Sequence, residues 1–441
     1  MKKTMLGILM MAAAGSALGA VPSERMNRKN LLIGAYCLQA NARTEAHVKA
    51  IHDCGVDFII GVSHSDRPTL DLFAKYGVGA IVGGLMPGWW GGDGDRAGQM
   101  KTINPPEKYA AAAAAYKDHP AIWAVDIGDE PSALDFPYYG DVVRQLNKAL
   151  PGVPLYLNLY PNYASVSQNS AKQTVNQLGT PTYLEHIEAY CRDVPLDYIS
   201  YDFYPYTGPQ AGDRFLQKCY DNFIIVANAC RKTKRSFWYI PQVNSREGLP
   251  PTSLNRLRFQ AYAAMSFGAE AITWACWCAG WWTNNVIDKA GNPTPQYAKL
   301  QTMNAELKRL GLAYMKYRSV ATHFVGFPEN SPRNPLQPCP KAAQLTTDGM
   351  TNLHAADGSP LLVGVMEPRA ASAKGARAFF VTAAGDPRDD KPGTVEVCFV
   401  PAPKAKVSVQ GGQGPIPVKR LEKGMYAFPL PTCAGALVEI R

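Results

Sequence analysis

The chain has 441 residues, 46% hydrophobic and 18% charged, and Trp, Tyr and Phe supply 10% of it. That balance excludes intrinsic disorder, which needs few aromatics and much charge, and a coiled coil, which is dominated by Ala, Glu, Lys, Leu and Arg. The formal charge of +9 sits mainly toward the C-terminus and forms no dense basic run, so the clustered stripe of a nucleic-acid binder is missing.

The N-terminus reads as a secretory signal peptide over residues 1–20. Lys2 and Lys3 form a basic start, Thr4 to Leu18 is apolar but too short to span a membrane, and Ala17, Gly19 and Ala20 supply the small residues of a cleavage site. No later run has the length of a membrane helix. The expectation is an exported chain, periplasmic or secreted. Export permits disulfides, but most of the ten cysteines fall at apolar helix or strand positions and read as buried thiols. A bond among Cys339, Cys398 and Cys433 is left open. No CxxC pair supports a zinc site, and no metal or cofactor is expected.

From residue 31 to 310 one unit recurs, in which a helix ends at Gly and a β-branched run follows. Gly55, Gly77 and Gly268 supply left-handed caps, and the runs after them read as buried parallel strands. Eight such strands end near Cys37, Val62, Gly83, Ile127, Leu159, Phe203, Val243 and Trp277. Pro105 and Pro106 open one helix, which continues through Ala110 to Ala115. Thr252 and Ser253 cap another, running from Leu254 to Phe267. Eight strand–helix units over roughly 250 residues predict a (β/α)8 TIM barrel over residues 21–315. A doubly wound sheet would need a glycine-rich phosphate fingerprint, which is lacking. Beyond it, Leu361–Met366, Ala378–Val381, Thr394–Val400, Val407–Gln410, Met425–Leu430 and Gly435–Ile440 alternate between Pro and Gly punctuation. They predict a small antiparallel β-sandwich over 316–441.

In a barrel the chemistry sits at the C-terminal strand ends. Strand four ends Asp126-Ile127-Gly128-Asp129-Glu130-Pro131, three carboxylates within five residues. Strand six ends Tyr201-Asp202-Phe203-Tyr204-Pro205. Strand five brings Asn158, Tyr160 and Asn162. Strand seven brings Gln242 and Asn244, and strand eight Trp274, Trp277, Trp281 and Trp282. The loop after strand three adds Trp89 and Trp90, and His64 follows strand two. Carboxylates among aromatic faces suit glycoside hydrolysis, in which one acid protonates the leaving oxygen and a second group attacks the sugar or activates water. Glu130 is the candidate acid and Asp202 the candidate second carboxylate. Asp126, Asp129, His64, Asn158, Tyr160, Tyr204, Gln242, Trp274 and Trp277 are candidate pocket residues for an oligo- or polysaccharide. A structural role for Asp126 stays open. No HExxH, P-loop or Gly-x-Ser-x-Gly motif competes.

Gly128-Asp129-Glu130-Pro131, the Asp197-to-Pro205 strand and Ile240-Pro241-Gln242-Val243 resemble exported bacterial glycoside hydrolase-like barrels. These are related to the retaining clan that includes family 42 β-galactosidases. The resemblance covers most of the mature chain and implies that Glu130 is the general acid/base. It departs at strand seven, where the clan carries its nucleophilic Glu and this chain has Gln242. Glu247 lies five residues on, in a loop. Three readings follow. Asp202 supplies the second carboxylate; or Asp129 and Glu130 work as the adjacent pair of family 20 hexosaminidases, which the three residues Gly128-Asp129-Glu130 resemble, using the substrate's own N-acetyl group; or the barrel binds glycans without cleaving them.

Overall fold

The computed structural model describes residues 26, 29–85, 97–116, 119–164, 177–206, 213–280, 282–288, 290–327, 341–370 and 375–441. The predicted leader and Trp89, Trp90, Trp281 and Cys339 lie outside them.

Eight parallel strands close a barrel: β1 (Leu32–Leu38), β2 (Phe58–Ser63), β3 (Gly79–Gly83), β4 (Ile122–Asp129), β5 (Leu155–Leu159), β6 (Tyr198–Phe203), β7 (Ser236–Pro241) and β8 (Ala269–Cys278). Helices α1 (Glu45–Asp53), α2 (Arg67–Tyr76), α3 (Met100–Ile103), α4 (Glu107–Ala112), α5 (Phe136–Ala149), α6 (Tyr183–Asp193), α7 (Asp213–Thr233), α8 (Leu254–Ser266) and α9 (Pro295–Tyr314) surround it. Their ends follow the expected chemistry. Gly77 closes α2 at φ 70°, where a side chain would be strained. Thr182 accepts from the Glu185 amide while Glu185 accepts from the Thr182 hydroxyl, a reciprocal cap on α6. Ser253 caps α8; Thr252 instead donates to the Asn244 carbonyl. Strand four runs past its expected end to Asp129, because its register against β5 shifts between Asp126 and Gly128. That irregularity re-aims the residues after it.

The lower part of the barrel lumen is filled by rings. Trp238 of β7 lies 4.7 Å from Tyr198 of β6, 6.0 Å from Tyr156 of β5 and 6.2 Å from Phe58 of β2. Side chains from four strands meet this way only across the barrel axis. Gly34 of β1 leaves the space they need, since a Cβ there would come within 2.4 Å of the Phe58 ring.

The second unit is a sandwich. One sheet is ordered β10 (Lys341–Ala342), β9 (Tyr317–Val325), β13 (Leu361–Pro368), β14 (Arg377–Ala383), β20 (Gly435–Ile440), β16 (Val407–Gly411), β17 (Gly414–Pro415). The other is ordered β11 (Leu345–Thr347), β12 (Met350–Ala355), β15 (Thr394–Pro401), β19 (Tyr426–Pro431), β18 (Lys419–Arg420). Strand alternation splits β14 between two cores. Phe379 and Val381 face the sandwich interior, in one cluster with Phe399 and Phe428. Phe380 faces the barrel helices, 5.4 Å from Tyr314 and 6.2 Å from Tyr262. Thr382 completes this seam by donating to the Tyr262 carbonyl. The sequence pattern shows β14 but not β9, whose alternation is diluted by Arg318, Ser319 and Thr322.

Candidate active site

The mouth of the barrel carries a connected polar network that rises from the aromatic plug. Tyr156 and Ser200 hydroxyls lie 2.9 Å apart, and Ser200 donates to Asn158 Oδ1 at 3.2 Å. The Asn158 amide then spans two carboxylates, donating to Asp202 Oδ1 at 2.9 Å and to Asp129 Oδ1 at 3.2 Å. Tyr36, at the end of β1, donates to the other Asp129 oxygen at 3.4 Å. Both amide protons and the carbonyl of Asn158 are therefore used, which fixes its orientation.

Glu130 and Tyr204 complete the cluster, each in a side-chain hydrogen bond to Asp202. Glu130 stands at φ +46°, in the left-handed region that a non-glycine residue occupies only when its surroundings hold it there. Its amide donates to the Asn158 carbonyl at 3.0 Å, and Pro131 follows. Backbone and carboxyl are thus both anchored, one to β5 and one to β6.

The electrostatics follow from crowding acids under a rim. Burial raises Asp126 to about 8, with the Asp129 charge adding to it. Burial and the Asp202 charge push Asp129 up, against the bonds from Asn158 and Tyr36. Burial raises Asp202 too, and Asn158, Glu130 and Tyr204 oppose it. The phenol of Tyr36 is pushed well up, first by the Asp129 charge. Neighbouring carboxylates of this kind cannot all ionise together near neutral pH.

The sequence expectations divide cleanly. Asp126, Asp129, Glu130, Asn158, Asp202 and Tyr204 come together. Tyr204 meets Trp282 edge-on at 5.4 Å. Asp202 belongs to the same cluster as Glu130, which acts on its titration together with Asn158 and Tyr204.

Five other candidate pocket residues are engaged elsewhere. Trp274 is fully buried, and its indole donates to Asn304 of α9 at 2.8 Å, outside the barrel wall. Trp277 is equally buried and meets Tyr297 of α9 edge-on. Tyr160 is 2% exposed and packs toward His186 of α6. Gln242 is wholly engaged in holding backbone: its oxygen accepts from the Tyr206 amide and its nitrogen donates to the Asn244 carbonyl. His64 stacks on Tyr116 at 4.4 Å and contacts the Gly83 carbonyl, away from the carboxylates.

Strand-end reading missed three contributors. Tyr36 was legible as the last inward residue of β1. Tyr163, one residue past Asn162, lies close enough that the Asp202 and Glu130 charges help raise its phenol, after burial. Arg246 lies 6.0 Å from the Trp282 ring. A separate cavity of ≈ 410 Å³ opens at the N-terminal end of the barrel. Of its two acids, Asp197 and Glu270, Glu270 is tied to Arg369 and Ser236. No group of three or more metal-ligating side chains is placed to hold a metal among the described residues.

No protein-family model matches the chain, and no curated protein matches it. Solved structures are similar to it. One described as a glycoside hydrolase aligns over 96% of this chain and 98% of its own, at 9% identity and a TM-score of 0.53. The endo-beta-1,4-mannanase from Thermotoga petrophila aligns over 91% of each chain at 10% identity and a TM-score of 0.44. The first likeness extends through barrel and sandwich together and establishes a (β/α)8 barrel with an appended β-sandwich.

Proposed function

We propose that the chain is a glycoside hydrolase acting on a glycan outside the cytoplasm, with residues 21–315 as the catalytic barrel and Glu130 as the general acid/base. The observation that carries this reading is the carboxylate cluster at the C-terminal mouth, where Asn158 bridges Asp129 and Asp202 and holds the strained Glu130 backbone beside them. Asp202 accepts from Asn158 and Tyr204, bonds that oppose the rise that burial causes in it. In this scheme Glu130 is the carboxyl that carries the proton, as a general acid must. Asp202 is a positioning residue in this scheme. Tyr204, Tyr163 and Trp282 supply ring faces and hydroxyls for a sugar. The shared fold with a glycoside hydrolase supports the reading, as does the resemblance of the strand-four motif to the clan of family 42.

The source of the attacking group follows from what strand seven lacks. Gln242 is consumed by backbone, and Glu247 is exposed in the following loop. Asp129, beside the acid and oriented by Asn158 and Tyr36, favours a substrate that supplies its own nucleophile, an N-acetylated sugar. The test is hydrolysis of paired aryl glycosides with and without a 2-acetamido group, by the wild type and by Glu130→Gln. Selective cleavage of the acetamido sugar, lost in the variant, is expected; equal cleavage of both sugars would remove the substrate-assisted step. Binding across a broad glycan panel with no product would instead make this a non-catalytic glycan-binding barrel, the reading that Gln242 favours.

A further inference from the structure

The barrel closes where β1 meets β8, and two cysteines face each other across that seam. Tyr36 pairs with Ala275 and Leu38 with Cys278, and the register shifts between them, so Cys37 lies opposite Cys276 and Trp277; Trp277 turns out to Tyr297, which leaves Cys276 on the side of Cys37. Neighbouring strands lie about 4.7–4.9 Å apart, inside the 4.4–6.8 Å between Cα atoms that a disulfide spans. The neighbourhood of Cys37 helps to raise the Cys276 thiol, after burial. Both belong to the apolar cluster of Ile240, Ala275, Trp282 and Tyr204 at the mouth. The two differ in access. Cys37 keeps part of its surface open, whereas Cys276 is 1% exposed. The nearby Cys278 is turned aside, its thiol donating to Gln39 Oε1 at 3.4 Å.

We propose that Cys37 and Cys276 are a redox pair that closes as a disulfide by exchange with a small-molecule disulfide. The accessible Cys37, as thiolate, attacks one sulfur of the reagent; the reagent's S–S bond breaks, a mixed disulfide forms on Cys37, and one reagent thiol leaves. Cys276 needs no access to solvent for the second step. Its sulfur attacks that of Cys37, the mixed disulfide breaks, and the second reagent thiol leaves with its electron pair. Two protein thiols are oxidised and one disulfide is reduced to two thiols; the protons lost by the cysteines end on those thiols. The bond would pin β1 to β8 directly beside the wall formed by Tyr204 and Trp282. Its formation is independent of whether the site cleaves glycans.

The test uses the full mature protein incubated with hydroxyethyl disulfide, quenched with an alkylating agent, digested without reduction and read by mass spectrometry with fragmentation. The expected product joins the Cys37 peptide to the Cys276 peptide, two hydrogens lighter than their sum, and is reversed by dithiothreitol. Cys37→Ser and Cys276→Ser should each abolish it, and Cys278→Ser should leave it intact. A Cys37 that stops at the hydroxyethyl adduct, or a link that disappears in Cys278→Ser, would overturn the pairing.

Discussion

Replacing Asp202 by Asn isolates the claim that Asp202 keeps the proton on Glu130. The substitution preserves volume and one hydrogen-bonding oxygen for Asn158 and Tyr204, but removes the negative charge that accepts from Glu130. A hydrogen bond to a charged group contributes about 1.5–3 kcal/mol, and one pH unit corresponds to about 1.4 kcal/mol. Glu130 should therefore lose its proton about one to two pH units earlier. The assay is the pH dependence of kcat/KM on an aryl glycoside that the wild type cleaves. The alkaline limb should move down by that amount, and the rate above it should fall about ten- to a hundredfold. Below the new limb the variant should approach the wild-type rate, because the protonated acid is present in both. A uniform loss at every pH, with the limb unmoved, would refute the reasoning and make Asp202 a structural residue only.

Asp126 tests the same electrostatics through stability. Its carboxyl is raised to about 8 in the folded chain from about 3.9 unfolded. The folded state thus binds the extra proton, and its contribution is complete below about pH 4 and lost as pH rises toward 8. The slope is at most about 1.4 kcal/mol per pH unit. The wild-type Tm should fall between pH 5 and pH 8 in about that window, and Asp126→Asn should flatten the fall; parallel curves would contradict the burial argument. Asn158→Leu strands Asp129 and Asp202 without their shared donor and should cost about 3 kcal/mol, read by urea unfolding. Trp274→Phe removes the bond to Asn304 and should lower stability by about 1–3 kcal/mol with KM unchanged; a raised KM with stability intact would return Trp274 to the pocket. Arg258 pairs with Glu306 between α8 and α9, both largely buried, so Arg258→Met should cost about 3–5 kcal/mol. The double variant with Glu306→Leu should recover most of it by thermal melt.

The barrel was legible because its signals are local. Gly77, Gly55 and Gly268 end helices in the left-handed conformation, and the runs behind them have one reading as strands. The address of Glu130 was legible for the same reason, since a strand end followed by Pro131 can be placed without tertiary knowledge. Direction was the hidden quantity. Strands buried on both faces give no polar alternation, so Trp238 inside the barrel and Trp274 outside it look alike in sequence. The aromatic rings are divided between the lumen plug, the helix layer and the mouth. Gln242 reads as a polar group at a strand end, and only the positions of Tyr206 and Asn244 show that backbone consumes it. The Glu130–Asp202 contact joins residues 72 apart in the chain, which neither strand pattern specifies alone.

The most direct measurement is turnover by Glu130→Gln on a glycoside cleaved by the wild type, with cooperative unfolding checked alongside. General acid catalysis contributes about 10²–10⁴ in rate. The account predicts a loss in that range, larger for poor leaving groups, in a protein that still unfolds at the wild-type temperature. Hydrolysis at the wild-type rate by the folded variant would contradict it.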